Sequence, residues 1–205
     1  MTDRPIIFSA PMVQALLAGR KSMTRRVLRP QPPEWVTRMT HEGRCGWIGS
    51  GDGHGTLMHV PYAPGDRLWC REAFRGDQGY DAYRPSEWSH WPVHYEADGY
   101  GGMDNGRLRS PIHMPRWASR LTLTVTDVRV QRLHDISAAD AIAEGCHVYA
   151  SSATIDCDTP DPRQEYRRLW NSIHGPEAWA ANPWVAALTF ATHRHNIDQM
   201  EPTND

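Results

Sequence analysis

Arg120-Leu-Thr-Leu-Thr-Val-Thr-Asp-Val-Arg-Val-Gln-Arg-Leu133 is the clearest strand signal in this sequence. Apolar Leu121, Leu123 and Val125 alternate with threonines, and successive side chains of a strand point to opposite faces of a sheet. The segment is long enough to bend or break near Asp127. It therefore predicts a long strand with one buried face.

Shorter elements flank this strand. Apolar residues at helical spacing, with capping residues and terminal glycines, predict helices at 9–19, 137–145 and 164–174. Alternating patterns predict strands at 67–74 and 184–190 and a short strand at 93–96. Residues 34–63 lack periodicity and are interpreted as irregular or as a long hairpin connection. The strands are too closely spaced for regular βαβ units, so we expect an α+β fold, a small mixed or antiparallel β-barrel with short helices on its outside.

Length and composition limit the class of protein. The chain has 205 residues, which at about 100–200 residues per domain predicts one large domain. We expect that domain to cover 1–192, with insertions at about 34–60 and 76–115 and a polar C-terminal tail at 193–205. No apolar run is long enough for a membrane span and no export signal is recognisable, so we expect a cytoplasmic protein without a membrane partner.

Charge and motifs exclude several functions. Lys and Arg number 22 against 24 Asp and Glu, a net charge of −2, so no overall field attracts a polyanion. The four cysteines form no C-x-x-C pair, and we expect neither a metal nor a cofactor. Neither G-x-x-x-x-G-K-[ST] nor G-x-G-x-x-G is present, which argues against kinases, GTPases and Rossmann enzymes.

Lys21 is the only lysine among the 22 basic residues. A lysine amine can act as a base, whereas an arginine remains protonated. Lys21 lies in the segment Arg20-Lys-Ser-Met-Thr-Arg-Arg26, interpreted as a basic turn, and a helical turn would bring its side chain near that of Thr24. A lysine crowded by other cations can activate a threonine hydroxyl as a nucleophile. The alternatives are a solvated basic turn that contacts phosphate, and a lysine left by a general bias toward arginine.

Glu144 is the last residue of the predicted helix at 137–145, before Gly145. A carboxylate there faces the negative end of the helix dipole, which disfavours it by about 0.3–1 kcal/mol. An exposed glutamate at a helix end is common, so the position permits both a functional and an ordinary surface role.

Four segments together resemble the ASCH domain family. They are Gly19-Arg-Lys21-Ser-Met-Thr24-Arg-Arg26 after a short helix, Pro64-Gly-Asp-Arg-Leu-Trp69, Asp140-Ala-Ile-Ala-Glu144-Gly145, and a final Trp-Val-x-x-x-x-Phe strand. The element G-x-K-x-x-[T/E]-x-R is the signature of that family. The resemblance covers roughly 5–29, 61–75, 118–147 and 164–191, and the insertions are typical of longer, phage-associated members.

The resemblance implies both a fold, a PUA-like β-barrel, and a catalytic activity. Small members of the family are amidohydrolases that remove the acyl group from N4-acetylcytidine with a lysine, a threonine and a glutamate, which match Lys21, Thr24 and Glu144. The implied partner is a modified nucleoside or nucleobase.

Four further residues are candidates for substrate binding, namely Arg25, Arg26, Trp69 and Glu72. Other family members are proposed to bind or cut RNA, so an RNA-binding module or ribonuclease using Arg20, Lys21, Arg25 and Arg26 is the alternative, as is a non-catalytic binder of a modified base. The sequence does not indicate the oligomeric state.

Overall fold

The structure is a computed structural model that describes residues 2–36, 38–42, 44–49, 55–88, 92–99, 106–146 and 161–200. The helices are α1 (Ala10–Leu17), α2 (Ala138–Ala143) and α3 (Pro162–His174). The strands are β1 (Asp3–Ile7), β2 (Met23–Val27), β3 (Arg38–Glu42), β4 (Cys45–Gly49), β5 (Gly55–His59), β6 (Arg67–Arg71), β7 (Phe74–Arg75), β8 (His94–Tyr95), β9 (Thr122–Arg132) and β10 (Trp184–His193). Short 3-10 turns connect several of them, among others Leu133–Asp135 and Ile197–Gln199.

Five strands form one sheet in the order β1-β6-β9-β10-β2. β1 runs parallel to β6, and β9 runs antiparallel to β6. β10 runs antiparallel to β2, with Leu188 opposite Thr24. The mixture of one such sheet with a few short helices confirms the α+β class. Among the described strands, the order ends at β1 and at β2 and does not close on itself, so the expected closed barrel is not formed there.

The chain divides into two compact units, and each has its own core. Unit 1 comprises Met1–Gly19, Gly65–Val125 and Phe190–Asp205. Its aromatic core joins Phe74, Trp88, Met114 and Ala118, and the rings of Phe74 and Trp88 meet edge to face with centroids 5.8 Å apart. Aromatic side chains thus hold the segment between β6 and β9 in place.

Unit 2 comprises Arg20–Pro64 and Thr126–Thr189. Its core packs α2 and α3 against β2 and β10, and it consists of Leu133, Ile136, Ala141, Cys146, Tyr166, Trp170 and Val185 with Val27 at its margin. Val27 and Val185 are register partners on the two strands, so this face of the sheet is the one that the helices cover. The candidate catalytic residues all belong to this unit.

Most predicted elements are confirmed. α1 begins after Ser9 and ends before Gly19, whose φ of +68° suits a glycine. The strand predicted at 120–133 is β9, which stays continuous through Asp127. α2 begins after Ser137, whose side chain accepts a hydrogen bond from the backbone nitrogen of Asp140, as the capping pattern predicts. α3 begins two residues earlier than predicted, because Asp161 caps it and Pro162 occupies its first position.

Two interpretations of the sequence are wrong. The segment read as a basic turn contains β2, because the charged side chains that made it look exposed find partners inside the protein. Of the two interpretations of 34–63, irregular or a long hairpin connection, the irregular one is wrong, because the segment contains a three-stranded antiparallel sheet, β3-β4-β5. The glycines and histidines there hide the alternation on which a strand prediction depends.

Of the polar tail predicted at 193–205, residues 201–205 lie outside the described residues, and residues 193–200 pack within unit 1. β10 extends to His193, and Ile197 is completely buried. The side chain of Asn196 donates to the backbone carbonyls of Arg116, Trp117 and Ser119. Polar composition therefore does not prevent this segment from being ordered, because its polar groups are hydrogen-bonded. Among the residues described, no helix has the length and apolar character needed to cross a membrane.

Candidate functional site

Lys21 and Glu144 form a buried ion pair. Lys21 lies just before β2, and Glu144 is the residue that caps the C-terminus of α2. The Lys21 Nζ atom is 2.8 Å from Oε2 of Glu144 and also donates to the Glu144 backbone carbonyl at 2.9 Å. Lys21 is 2% exposed and Glu144 is 4% exposed. Two segments that are 123 residues apart in sequence thus meet at one carboxylate.

The same contact explains a glutamate at the end of a helix. The last carbonyls of a helix lack partners within the helix and carry partial negative charge. Lys21 supplies a cation at this end, and the backbone nitrogen of Ser22 donates to the carbonyl of Ala143 at 2.8 Å. The two residues before β2 therefore cap α2, and the unfavourable position of Glu144 is compensated by Lys21.

Arg25 binds the other oxygen of Glu144. Its Nη1 donates to Oε1 of Glu144 at 3.1 Å, and its Nη2 donates to Oδ2 of Asp140 at 2.6 Å. The Arg25 side chain is fully buried, and its Nε has no hydrogen-bond partner among the described residues. Arg25, a predicted substrate-binding residue, thus donates through both Nη atoms to the carboxylates of Asp140 on α2 and of Glu144 at its C-terminal cap.

Asp140 links this cluster to the surface. Its Oδ1 accepts a hydrogen bond at 2.9 Å from Nη2 of Arg129, a side chain that is 44% exposed. Burial pushes the pKa of Asp140 up, but the hydrogen bond from Arg129 and the charges of Arg25 and Arg129 outweigh it and hold the pKa below its ordinary value. In the sequence, Asp140 stands out only as part of the segment Asp140-Ala-Ile-Ala-Glu144-Gly145, and Arg129 does not stand out at all. The spacing of Asp140 and Glu144, four residues apart on one helix face, was the available signal.

Thr24 lies on β2 and is buried. Because side chains alternate along a strand, Thr24 faces the side of β2 opposite to Arg25, and Arg26 shares the side of Thr24. The expectation that a helical turn brings Lys21 and Thr24 together is wrong, because residues 23–27 form a strand. Lys21 precedes the strand, so the alternation does not fix the direction of its side chain.

Arg26 is half-buried, and Arg20 is exposed. Burial lowers the pKa of His174, and the nearby positive charges of Arg26 and Arg29 lower it further. Arg26, Arg29 and the C-terminal end of α3 therefore lie in one electropositive region of unit 2.

Tyr166 and Cys146 border the ion pair. The guanidinium of Arg25 lies 5.8 Å from the centre of the Tyr166 ring. Burial, reinforced by the negative charge of Glu144, raises the pKa of Tyr166 well above its usual value. The same two causes raise the pKa of the Cys146 thiol to about 11. Both groups therefore remain neutral near pH 7.

Trp69 and Glu72, the other two predicted substrate-binding residues, belong to unit 1. Trp69 is buried on β6, and the guanidinium of Arg71 lies 4.6 Å from the centre of its ring. Both carboxylate oxygens of Glu72 accept from Arg120, at 2.9 and 3.0 Å. Burial raises the pKa of Glu72 despite that pairing. In unit 1 these residues thus take part in a cation–π contact and a bidentate ion pair.

Metal ligation has no visible basis in the part of the chain that the structure describes. No three His, Cys, Asp or Glu side chains are grouped there as a metal ion would require. His193 and His195 are neighbours, with ring centres 5.6 Å apart.

Comparisons with known proteins assign no family. No protein-family model matches the chain, and no curated protein matches it. One solved structure is similar, the crystal structure of protein EF3133 from Enterococcus faecalis V583, described under the family model DUF984. The sequences are 10% identical, the alignment covers 98% of this chain and 86% of that chain, and the TM-score is 0.41.

Proposed function

We propose that the protein is an amidohydrolase that removes the acyl group from the exocyclic nitrogen of an N4-acylated cytosine, with Lys21 as base, Thr24 as nucleophile and Glu144 as proton donor. The observation that carries this proposal is the 2.8 Å contact between Lys21 Nζ and Glu144 Oε2 inside the protein. It joins the sole lysine of the chain to the glutamate that the family resemblance pairs with it.

The ion pair holds the number of protons that the reaction needs. Acyl transfer to Thr24 requires a neutral amine on Lys21 and a protonated carboxyl on Glu144. A neutral amine and a protonated carboxyl together carry as many protons as an ammonium and a carboxylate do. Transfer of one proton over the 2.8 Å between the two atoms converts one state into the other, and that distance lies within hydrogen-bond reach.

Acylation then proceeds with each proton accounted for. Lys21 Nζ takes the hydroxyl proton of Thr24 while Oγ1 bonds to the acyl carbon and the carbonyl oxygen becomes an oxyanion. Preorganised donors at that oxygen supply a large part of the rate enhancement. Both Nη atoms of Arg25 already donate to carboxylates. The donors that we assign to the oxyanion are therefore a backbone amide of residues 20–26 other than that of Ser22, or Arg26, which lies on the same side of β2 as Thr24. The C–N bond breaks as Glu144 gives its proton to the departing N4 nitrogen.

Deacylation reverses the roles. The Glu144 carboxylate takes a proton from water, and the resulting hydroxide attacks the ester on Thr24. The Thr24 oxygen departs with a proton from the Lys21 ammonium. The acid is released, and the ion pair re-forms by return of the proton from Glu144 to Lys21.

Burial disfavours the alternative in which these cations bind RNA phosphates. Phosphate contacts come from accessible basic side chains, whereas the side chains of Lys21 and Arg25 are fully buried and paired with carboxylates. Of the basic segment, Arg20 and Arg26 retain exposed surface.

The proposal includes the ASCH membership and the PUA-like architecture that the sequence motifs resemble, a free modified nucleoside or nucleobase as substrate, and a cytoplasmic location. It requires no cofactor, because every proton and bond in the two steps is supplied by side chains and water.

The test is the hydrolysis of N4-acetylcytidine, monitored by the change in ultraviolet absorbance. We compare the wild-type protein with Thr24→Val, which keeps the side-chain shape and removes the hydroxyl, with Thr24→Ser, which keeps the hydroxyl, and with Lys21→Arg. Arg168→Gln, at a side chain that is 74% exposed, serves as a control. We expect Thr24→Val and Lys21→Arg to lower kcat by about 100-fold or more, Thr24→Ser to retain measurable turnover, and Arg168→Gln to match the wild type.

Two results would overturn the proposal. One is a wild-type rate in Thr24→Val. The other is absence of turnover by a folded wild-type protein, for which circular dichroism is the check. A labelled single-stranded RNA incubated in parallel covers the alternative, since cleavage that is independent of Thr24 indicates a ribonuclease.

A further inference from the structure

Arg25 bridges two carboxylates of one helix. Asp140 and Glu144 are four residues apart, so they lie on the same face of the short helical segment that includes α2. One Nη atom of Arg25 donates to each of them, at 2.6 Å for Asp140 and 3.1 Å for Glu144. The planar guanidinium therefore fixes the position of Glu144 relative to the helix.

Charges of opposite sign alternate along a path from the interior to the surface. The path runs Lys21, Glu144, Arg25, Asp140 and Arg129, with neighbours joined at 2.8, 3.1, 2.6 and 2.9 Å. We call these five residues the charge ladder. Lys21 and Arg25 are fully buried, whereas the Arg129 side chain is 44% exposed. The ladder therefore connects the buried ion pair to solvent.

We infer that Arg25 and Asp140 are positioning residues that orient the Glu144 carboxylate and set the pH at which the Lys21–Glu144 pair loses a proton to solvent. The catalytic part of this inference rests on the proposed amidohydrolase function. Lys21 holds Oε2 and Arg25 holds Oε1, so both oxygens of the carboxylate are fixed. Asp140 supplies the negative charge that balances Arg25, and the four residues Lys21, Arg25, Asp140 and Glu144 are together neutral.

Among the residues that the structure describes, two titratable neighbours of the pair are uncharged. Tyr166 and Cys146 stay neutral because burial raises the pKa of each, that of Cys146 to about 11. The charge of Arg26 lowers the pKa of Tyr166 slightly, and the charge of Glu165 raises the pKa of Cys146 slightly, both through electrostatic interaction. Arg129 carries the positive charge at the outer end of the ladder. Removal of the Asp140 charge thus leaves an excess of positive charge beside the pair.

Asp140→Asn removes that charge while keeping the shape and one acceptor oxygen, and it turns its amide N–H2 toward Arg25 or Arg129. Excess positive charge disfavours bound protons, so the pair releases its proton at lower pH. We expect the titration midpoint of the pair to fall by about one pH unit. Arg129→Gln removes a positive charge from the partly exposed end, and we expect a smaller shift toward higher pH.

The sole lysine makes this measurable without turnover. Protein grown with ¹³C-labelled lysine and carrying no lysine in a tag gives one side-chain signal, that of Lys21. Its chemical shift is followed against pH in wild type, Asp140→Asn, Arg129→Gln and the exposed control Glu177→Gln, which we expect to follow the wild-type curve. Identical curves for wild type and both ladder variants overturn the inference, as does a shift of Asp140→Asn toward higher pH.

The pH dependence of kcat/KM is the second measurement. Both limbs of the profile should shift to lower pH in Asp140→Asn, while Glu177→Gln keeps the wild-type profile. A wild-type protein that leaves N4-acetylcytidine intact refutes the proposed function, and the Lys21 signal then still decides whether Asp140 controls the pair. A shifted signal together with an unshifted activity profile overturns the catalytic part of the inference.

Discussion

Replacement of Glu144 by glutamine removes the negative charge that holds two buried cations. The wild-type carboxylate accepts from Lys21 Nζ at 2.8 Å and from Arg25 Nη1 at 3.1 Å. Hydrogen bonds to charged groups contribute about 1.5–3 kcal/mol each, and loss of one partner of a buried ion pair typically costs about 3–5 kcal/mol. Because glutamine also turns an N–H donor toward one of these cations, we expect Glu144→Gln to lower the free energy of unfolding by about 3–5 kcal/mol.

Equilibrium unfolding in urea, followed by tryptophan fluorescence, measures this loss. Glu165→Gln is the matched control, because Glu165 pairs with Arg168 on an exposed face of α3, and exposed pairs contribute about 1 kcal/mol or less. A double variant, Lys21→Met with Glu144→Gln, also removes one of the two cations that lose their carboxylate partner. Its loss of unfolding free energy should be smaller than the sum of the losses of the two single variants. A loss below about 1 kcal/mol for Glu144→Gln would refute the reasoning, since a buried and uncompensated cation cannot be that well tolerated.

Two further predictions concern other parts of the molecule. Burial raises the pKa of the Cys146 thiol to about 11, so iodoacetamide at pH 8 should leave Cys146 unmodified in the folded protein and modify it in urea. Peptide mapping by mass spectrometry measures the modification, and rapid labelling of the folded protein would contradict the prediction. Asn196→Ala removes a side chain that donates to three backbone carbonyls, so we expect the free energy of unfolding in urea to fall by about 1–3 kcal/mol. Gln78→Ala, at an exposed position, should change it little. Equal stability of the two variants would contradict the prediction.

Local sequence patterns predict the elements that bury apolar residues at regular spacing. The alternation at Leu121, Leu123 and Val125 predicts β9, and the apolar stripe with Tyr166 and Trp170 predicts α3. These predictions succeed because apolar residues recur at the spacing of the element, over the first half of β9 and along one face of α3. Short-range regularity is enough to identify such elements.

β2 shows where this approach fails. Its sequence, Met-Thr-Arg-Arg-Val, reads as an exposed basic segment, yet its first three residues are buried. Arg25 is stabilised there by Asp140 and Glu144, which lie more than a hundred positions later in the chain. No local pattern carries that information, because the partners of a buried charge are set by tertiary packing.

The candidate site likewise contains residues that local sequence can identify and residues that only tertiary contacts reveal. Lys21 stands out as the sole lysine, and Glu144 stands out as a carboxylate at the wrong end of a helix. Each could be singled out from the sequence because it departs from a local expectation. The role of Arg25 as a bridge and the contribution of Arg129 depend on contacts between β2, β9 and α2, so they required the structure.

The geometry of the ion pair accounts for lysine at position 21 in a chain that otherwise uses arginine for its basic residues. The Lys21 ammonium donates to two oxygens of one residue, the carbonyl and the carboxylate of Glu144, and its side chain is fully buried. A compact tetrahedral donor suits this arrangement, whereas the wider planar guanidinium directs its donors apart and needs more space. This reason holds for a purely structural cap on α2 as well as for a catalytic base. Loss of activity in Lys21 variants is expected for either role, and Thr24→Val, which leaves both partners of the ion pair and the cap in the chain, is the variant that separates them.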